Sequence, residues 1–281
     1  MDNQSFFQQC DSEEKAYWLG FLYADGCVLS SRWQVSIILS RRDSEHLEKL
    51  ASIFNRRVRY EKVYDKRTQK TYERVRLILS CKKLVQDLAT YGIVPRKTYS
   101  TLDIPWDLIP NVYRHHFIRG IFDGDGHVGV TGREMRVVIC ANSAAANSLK
   151  KILCETVFLS SGSVQQQKKK NMILHTFQST GKTNVWKIRE YLYKDATVCL
   201  PRKREIFFSN PPYGDTWFRG VHKDHRREKW LASKRIADKR IYAGQFDTDL
   251  EAAIAYDEIL ERYGVSKTKK NFPIPIVPTI G

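Results

Sequence analysis

Along the chain, apolar positions switch between two spacings in a regular order. Tyr17, Trp18, Phe21 and Leu22 recur at helical spacing, and Phe117, Ile118, Ile121 and Phe122 do the same a hundred residues on. Each stretch precedes a turn, an apolar strand-like segment (35–40 and 135–140) and then a second helical stretch. A pair of strand-like segments follows, 57–64 with 71–80 in one half and 162–168 with 171–179 in the other. In the first pair Val75, Leu77 and Leu79 alternate with Arg74, Arg76 and Ile78, the period of a strand with one covered face. The pattern predicts an α+β protein made of two αββαββα units. After Pro211-Pro212 three short strands are expected, over 217–221, over 228–236 and at the start of the stretch 239–264. An amphipathic helix follows, capped by Thr248 with Glu251, its apolar face carrying Leu250, Ala253, Ile254, Tyr256 and Ile259.

The two halves match in sequence as well as in period. YWLGFLYADGCV at 17–28 aligns with FIRGIFDGDGHV at 117–128, so Gly20, Asp25 and Gly26 fall on Gly120, Asp125 and Gly126 at a constant offset of 100. Both halves close on a Pro-Arg-Lys triplet, 95–97 and 201–203. Several matches in one order mark a tandem duplication. Gly20 with Ala24, and Gly120 with Gly124, put small residues four apart on one helix face, where two helix backbones can meet closely. Asp11 with Glu14 is the expected capping pair of the first helix.

If the two helices pack in parallel, Asp25 and Asp125 emerge side by side at their ends. Helix C-termini add partial negative charge to the two carboxylates. Such a site calls for a hard divalent cation, Mg²⁺ or Mn²⁺, and suits hydrolysis of a phosphodiester. Asp123-Gly124-Asp125 is not a calcium loop, because Val128 stands where that loop needs glycine.

Charge narrows the substrate. The chain has 47 Lys+Arg against 31 Asp+Glu, a net +16, which favours a polyanionic partner. No apolar run is long enough to span a bilayer, so no membrane partner is expected. The N-terminus lacks the order of a signal peptide, and a cytoplasmic location is expected. The six cysteines show no CxxC spacing, so neither a disulfide framework nor structural zinc is expected.

WLGFLYADG and IRGIFDGDG resemble the two signature motifs of the LAGLIDADG homing endonucleases, and the likeness extends over roughly residues 10–209. The resemblance implies a pseudo-twofold monomer whose β-saddles lie in the DNA major groove, with double-stranded DNA as the partner. It implies metal ligation by Asp25 and Asp125 with the backbone of Ala24 and Gly124. Lys97 and Lys203 are implied beside the scissile phosphates. Tyr23 and Asp123 occupy a variable position, so Asp123 need not be catalytic. No counterpart of the family's water-positioning glutamine stands in 40–43 or 141–143. Some relatives also assist splicing of their intron RNA, and a DNA-binding regulator on an inactive scaffold is the further alternative. Arginines and glutamines read base edges in the major groove. On the saddles the candidates are Arg57, Arg59, Arg74 and Arg76, then Gln165, Gln167, Lys169 and His175.

The last sixty residues resemble the APETALA/ethylene-response-factor DNA-binding domain through Arg219-Gly220-Val221, Trp230, Gly244, Phe246-Asp247-Thr248, Glu251-Ala252-Ala253, Ala255-Tyr256-Asp257 and Asn271-Phe272. That likeness implies DNA contacts from Arg219, His222, Arg235, Arg240 and Tyr242. The expected organisation is repeat 1 over 1–105, repeat 2 over 106–209, a linker at 210–216, the small reader over 217–273 and a tail at 274–281.

Overall fold

A computed structural model describes residues 3–97, 101–131, 134–169, 172–208 and 214–272, with side chains omitted at 131, 169 and 172. Helix α1 (Glu13–Asp25) leads into β1 (Cys27–Leu29) and β2 (Gln34–Ser40), then α2 (Ser44–Ile53), β3 (Arg59–Asp65), β4 (Lys70–Ser80) and α3 (Lys82–Thr90). The order repeats as α4 (Arg114–Asp125), β5 (Gly126–Thr131), β6 (Glu134–Ala141), α5 (Ser143–Val157), β7 (Ser163–Lys169), β8 (Met172–Thr180) and α6 (Lys182–Tyr193). Both four-stranded sheets are antiparallel and share one topology, β1-β2-β4-β3 and β5-β6-β8-β7. The α+β class and the duplicated αββαββα order are as the periodicity predicts. Helix α7 (Pro201–Phe208) closes the second repeat.

Cap geometry differs from expectation at α1. Ser12, not Asp11, is the N-cap and accepts the Lys15 amide, while Asp11 pairs with the Lys15 ammonium at 2.8 Å. One residue of shift lets Ser12 satisfy a free first-turn N–H.

The inner faces of the sheets read directly from the alternation. Val35, Ile37 and Leu39 of β2 lie beside Val75, Leu77 and Leu79 of β4, all buried, against Leu47 and Leu50 of α2 and Leu84 and Leu88 of α3. Between the sheets, α1 and α4 form the centre of the molecule. Gly20 stands against the Phe117 carbonyl and the Ile121 amide, and Gly120 against the Tyr17 carbonyl and the Phe21 amide. Gly124 reciprocates with Ala24 four residues further along. Matching contacts at both levels make the helices parallel, with coincident ends. A Cβ at Gly20 or Gly120 would overlap a main-chain oxygen of the other helix, and backbone cannot swing aside as a side chain can.

The C-terminal segment folds as β9 (Val221–Asp224), β10 (Lys229–Ile236), β11 (Lys239–Phe246) and α8 (Asp249–Arg262), the strands in order β11-β10-β9. Thr248 and Glu251 close the capping box expected of them. Of the anticipated apolar face, Ala253, Tyr256 and Ile259 are buried, whereas Leu250 and Ile254 are exposed; Ala252 and Leu260 point inward instead. The sheet rests on the 252/253/256/260 stripe, which turns 250 and 254 outward. Its small core contains Phe218, Val221, Ala232 and Tyr256 and is joined by Trp186 of α6.

Gly20→Ala and Gly120→Ala should each destabilise the fold by about 3 kcal/mol through overpacking against rigid backbone, lowering the thermal midpoint by roughly 6–12 °C. A calorimetric midpoint within about 2 °C of the parent would disprove the backbone-to-backbone contact.

Candidate active site

The coincident helix ends set the site. At Gly124 a Cβ would approach Asp25 Oδ2 to 3.3 Å, so only a small residue there leaves room for the neighbouring carboxylate. Asp25 is half-buried and Asp125 faces solvent at its outer edge. Burial first, then the charge of Asp125, pushes the Asp25 carboxyl up to about 6, against the pull of Lys97, Lys203 and Arg202. Burial likewise raises Asp125, opposed by the same two lysines. The two motif carboxylates thus stand together at the helix ends, each raised first by burial.

The lysines arrive symmetrically. Lys97 Nζ donates to the Gly26 carbonyl and Lys203 Nζ to the Gly126 carbonyl, each capping the peptide just beyond a motif aspartate. Burial lowers the pKa of both, while the aspartates pull it back up. Lys97, Asp125, Ala24, Tyr23 and Asn142 share the wall of a cavity of about 240 Å³. All six residues that the motif singled out therefore gather at the two helix ends.

Asp123 is not part of that surface. It is 1% exposed and accepts hydrogen bonds from Tyr17 Oη at 2.8 Å, Tyr193 Oη and the Leu200 amide at 2.7 Å. Tyr17 spends its proton on Asp123, which leaves His46 Nε2 to donate to the Tyr17 oxygen at 2.8 Å. Burial pushes Asp123 up to about 6 in spite of these donors. Its partners tie the segment before α7 to the central helices. The equivalent position, Tyr23, is buried too, with burial raising its phenol to about 12.

Strand register sorts the saddle candidates. Arg59 pairs with Arg76 and Glu61 with Arg74, so these arginines share the outer face, both β4 arginines against Glu61 (2.7 and 3.3 Å). Arg57 precedes β3 and lies off the sheet, because pairing starts at Arg59. Gln165 and Gln167 are exposed on the outer face of the second sheet. His175 is not with them: it pairs with Gln166 and Ala141, and the period of two sends it to the opposite face. The side chain of Lys169 lies outside the described residues. Sequence reasoning missed Arg136, His127 and Gln178, which share the face of Gln165. The signal for Arg136 was present, as the polar residue alternating with Met135 and Val137.

In the C-terminal unit His222, Arg235, Arg240 and Tyr242 are exposed on the sheet face away from α8. A bulge between Ala232 and Ser233 keeps Tyr242 and Arg240 on that face. Arg219 is not among them. Its guanidinium donates to the Lys269 carbonyl and to Ser160 Oγ, both at 3.0 Å, joining the unit to the second repeat.

No group of three or more His, Cys, Asp or Glu side chains is placed to hold a metal among the described residues. No helix among them is long and apolar enough to cross a membrane. No family model matches the sequence, and no curated protein does. Similar solved structures include the full-length DUF199/WhiA from Thermatoga maritima, at 12% identity and TM-score 0.43, covering 75% of this chain and 66% of that one. The homing endonuclease I-WcaI bound to its DNA recognition sequence is similar at 10% identity and TM-score 0.49, over 71% of this chain and 88% of that one. I-DmoI in complex with DNA and Ca is similar at 14% identity and TM-score 0.45, over 73% and 97%. This chain thus spans about two thirds of the DUF199/WhiA length. These are likenesses, and the functional reading rests on the chain's own geometry.

The raised carboxyl has a thermodynamic consequence. The native state holds the Asp25 proton up to about pH 6, whereas an unfolded aspartate releases it near about 3.9. Ionisation therefore destabilises the metal-free fold as pH rises from about 4 through 6, by on the order of 2 kcal/mol. Asp25→Asn in chelator should raise the melting temperature at pH 7.5 by roughly 4–8 °C, with the gain gone at pH 4. Equal melting of both proteins from pH 4 to 8 would show that the carboxylate is not strained.

Proposed function

We propose that the chain is a divalent-metal-dependent, site-specific DNA endonuclease of the LAGLIDADG homing type that cuts both strands of a long target and so spreads a mobile intron or intergenic element. One observation carries this reading: two parallel helices, touching backbone to backbone, end in Asp25 and Asp125, each followed by a carbonyl that holds a lysine. The donor set fits Mg²⁺ or Mn²⁺. Two carboxylates and the Ala24 and Gly124 carbonyls are hard oxygen ligands, and phosphate oxygens with water would complete the shell. When bound, the metal supplies charge stabilisation and an activated water. The protein's share is placement. Lys97 and Lys203, fixed on the adjoining carbonyls, would neutralise charge that develops on the phosphate as a water oxygen bonds to phosphorus and one bridging P–O bond breaks. The attacking water gives up one proton and the departing oxygen takes one, leaving a phosphomonoester and a hydroxyl.

Reading of the site falls to the outer faces of the two saddles, through Arg59, Arg74, Arg76, Gln165 and Gln167, and to the third sheet through His222, Arg235, Arg240 and Tyr242. A DNA-binding regulator is the second reading. In its favour, the β2 and β6 ends offer no glutamine to orient water, and Asn142 there is spent on the Ala145 amide and the Leu102 carbonyl.

Cleavage separates the two. On a duplex selected from a randomised library, Asp25→Asn and Asp125→Asn should each abolish double-strand cutting in Mg²⁺ while binding stays within roughly tenfold, the metal ligands being needed for chemistry rather than for phosphate anchoring. Unchanged cutting by both variants refutes the assignment; a parent that binds the duplex and never cuts supports the regulator.

The C-terminal sheet should add affinity and site length. The triple variant Arg235→Ala, Arg240→Ala, Tyr242→Ala is expected to keep its thermal midpoint and to shorten the footprint on one side only. Its salt dependence should be shallower by about 0.9 in log–log slope for each phosphate that the variant no longer neutralises. Identical footprints and slopes would assign that face to another partner.

A further inference from the structure

The two Pro-Arg-Lys triplets, alike in sequence, are built differently. In repeat 1 the triplet lies on a turn, Arg96 is exposed with a left-handed φ of 55°, and only Lys97 reaches the helix ends. In repeat 2 the triplet opens α7, whose start is pinned by the Leu200 amide on buried Asp123. Helical geometry then carries Arg202 as well as Lys203 inward. Arg202 Nε donates to both oxygens of Asp43, at 2.9 and 3.0 Å, and Asp43 is 6% exposed. Both bonds use Nε, and the guanidinium's terminal N–H groups are the fork that matches a phosphate.

Asp43 has no acidic counterpart across the pseudo-twofold. The residue beside Lys97 in the other cavity is Asn142, a neutral helix cap. A cavity of about 310 Å³ opens beside Arg202, walled by the basic Arg42 and Lys49, by His46 and by the carboxylates of Asp43, Glu45 and Glu205. Arg202 is close enough to oppose the burial-driven rise of Asp25 and to help burial lower Lys203. Arg202 is thus a third fixed cation beside the carboxylate pair, and its sequence counterpart Arg96 is exposed on a turn instead.

We infer that Arg202, oriented by Asp43, binds a backbone phosphate of one DNA strand only, so that the two strands are cut at unequal rates. The rate difference rests on the nuclease reading; the phosphate contact does not. Asp43 is a positioning residue, because it acts through the guanidinium and not on the DNA.

Two readouts test this on the full chain with the selected duplex. In metal-free buffer, each phosphate is replaced in turn by a methylphosphonate. One position on one strand should weaken binding of the parent by about tenfold and leave binding of Arg202→Gln unaffected, as removal of a charge-assisted hydrogen bond requires. In Mg²⁺, with each strand labelled separately, Arg202→Gln should slow that strand at least about tenfold, the other within twofold, so that nicked product accumulates. Asp43→Asn should bias the same strand, and Arg202→Lys should restore part of the rate. Arg96→Gln should change neither strand. Should Asp43→Asn melt early, Arg202→Gln decides alone. Equal slowing of both strands, or no phosphate whose neutralisation is masked by Arg202→Gln, overturns the inference. If the parent cuts neither strand, the nuclease reading fails, and the methylphosphonate series still confirms or refutes the phosphate contact.

Discussion

Two main chains touch at the centre of this protein because Gly20 and Gly120 have nothing between their backbones and the opposite helix. Larger residues would hold the axes apart by the width of a side chain, and the helix ends would separate with them. Close, parallel contact fixes where both helices stop, and the polypeptide leaves each at a glycine immediately after an aspartate. Packing around those ends takes water from the inner side of both aspartates, and burial, joined at Asp25 by the charge of Asp125, leaves them reluctant to ionise. The same packing brings two lysines onto the adjoining carbonyls. A steric condition deep in the core thus produces an electrostatic condition at the surface.

Polar groups buried beside that core adjust one half relative to the other. Arg119, fully buried, donates to Glu13 at 2.6 Å and to the carbonyls of Leu192 and Val198. Asp123 collects Tyr17, Tyr193 and the Leu200 amide. Both networks belong to the second motif, and both hold the stretch between α6 and α7 against the central helices. Leu19 and Tyr23 stand at the corresponding places in the first motif, where Leu19 is apolar and Tyr23 bonds to Asn142 instead. Buried charges require partners, so the substitutions at 119 and 123 oblige the 192–200 segment to pack inward. The start of α7, with Arg202 and Lys203, follows from that.

The C-terminal unit is joined to the second repeat by more than chain connection. Trp186 of α6 stacks edge-on against Phe218 and Phe272. Lys182 and Thr183 donate to the carbonyls of Thr216 and Trp217, and Arg219 bridges to Ser160. Such contacts fix the outer face of the third sheet relative to the sheet of the second repeat.

Much of this was legible in the chain. Period two against period 3.6 located the paired strands and the central helices, and the offset of 100 exposed the duplication. The spacing of small residues foretold the helix contact and, with it, the meeting of Asp25 with Asp125. These properties are local or repeat at fixed distance, so a one-dimensional reading captures them. Side-chain destinations across the fold were not legible. Nothing near His175 says that its register partner is Gln166, which turns it away from the outer face; nothing near Arg219 says that it will reach Ser160. The two Pro-Arg-Lys triplets are identical as text. Only the tertiary structure separates them, because the partners that place Arg202, Asp43 and Asp123, lie 159 and 79 residues away in sequence. Contacts of that separation depend on packing of the whole chain, and packing leaves no period in the sequence.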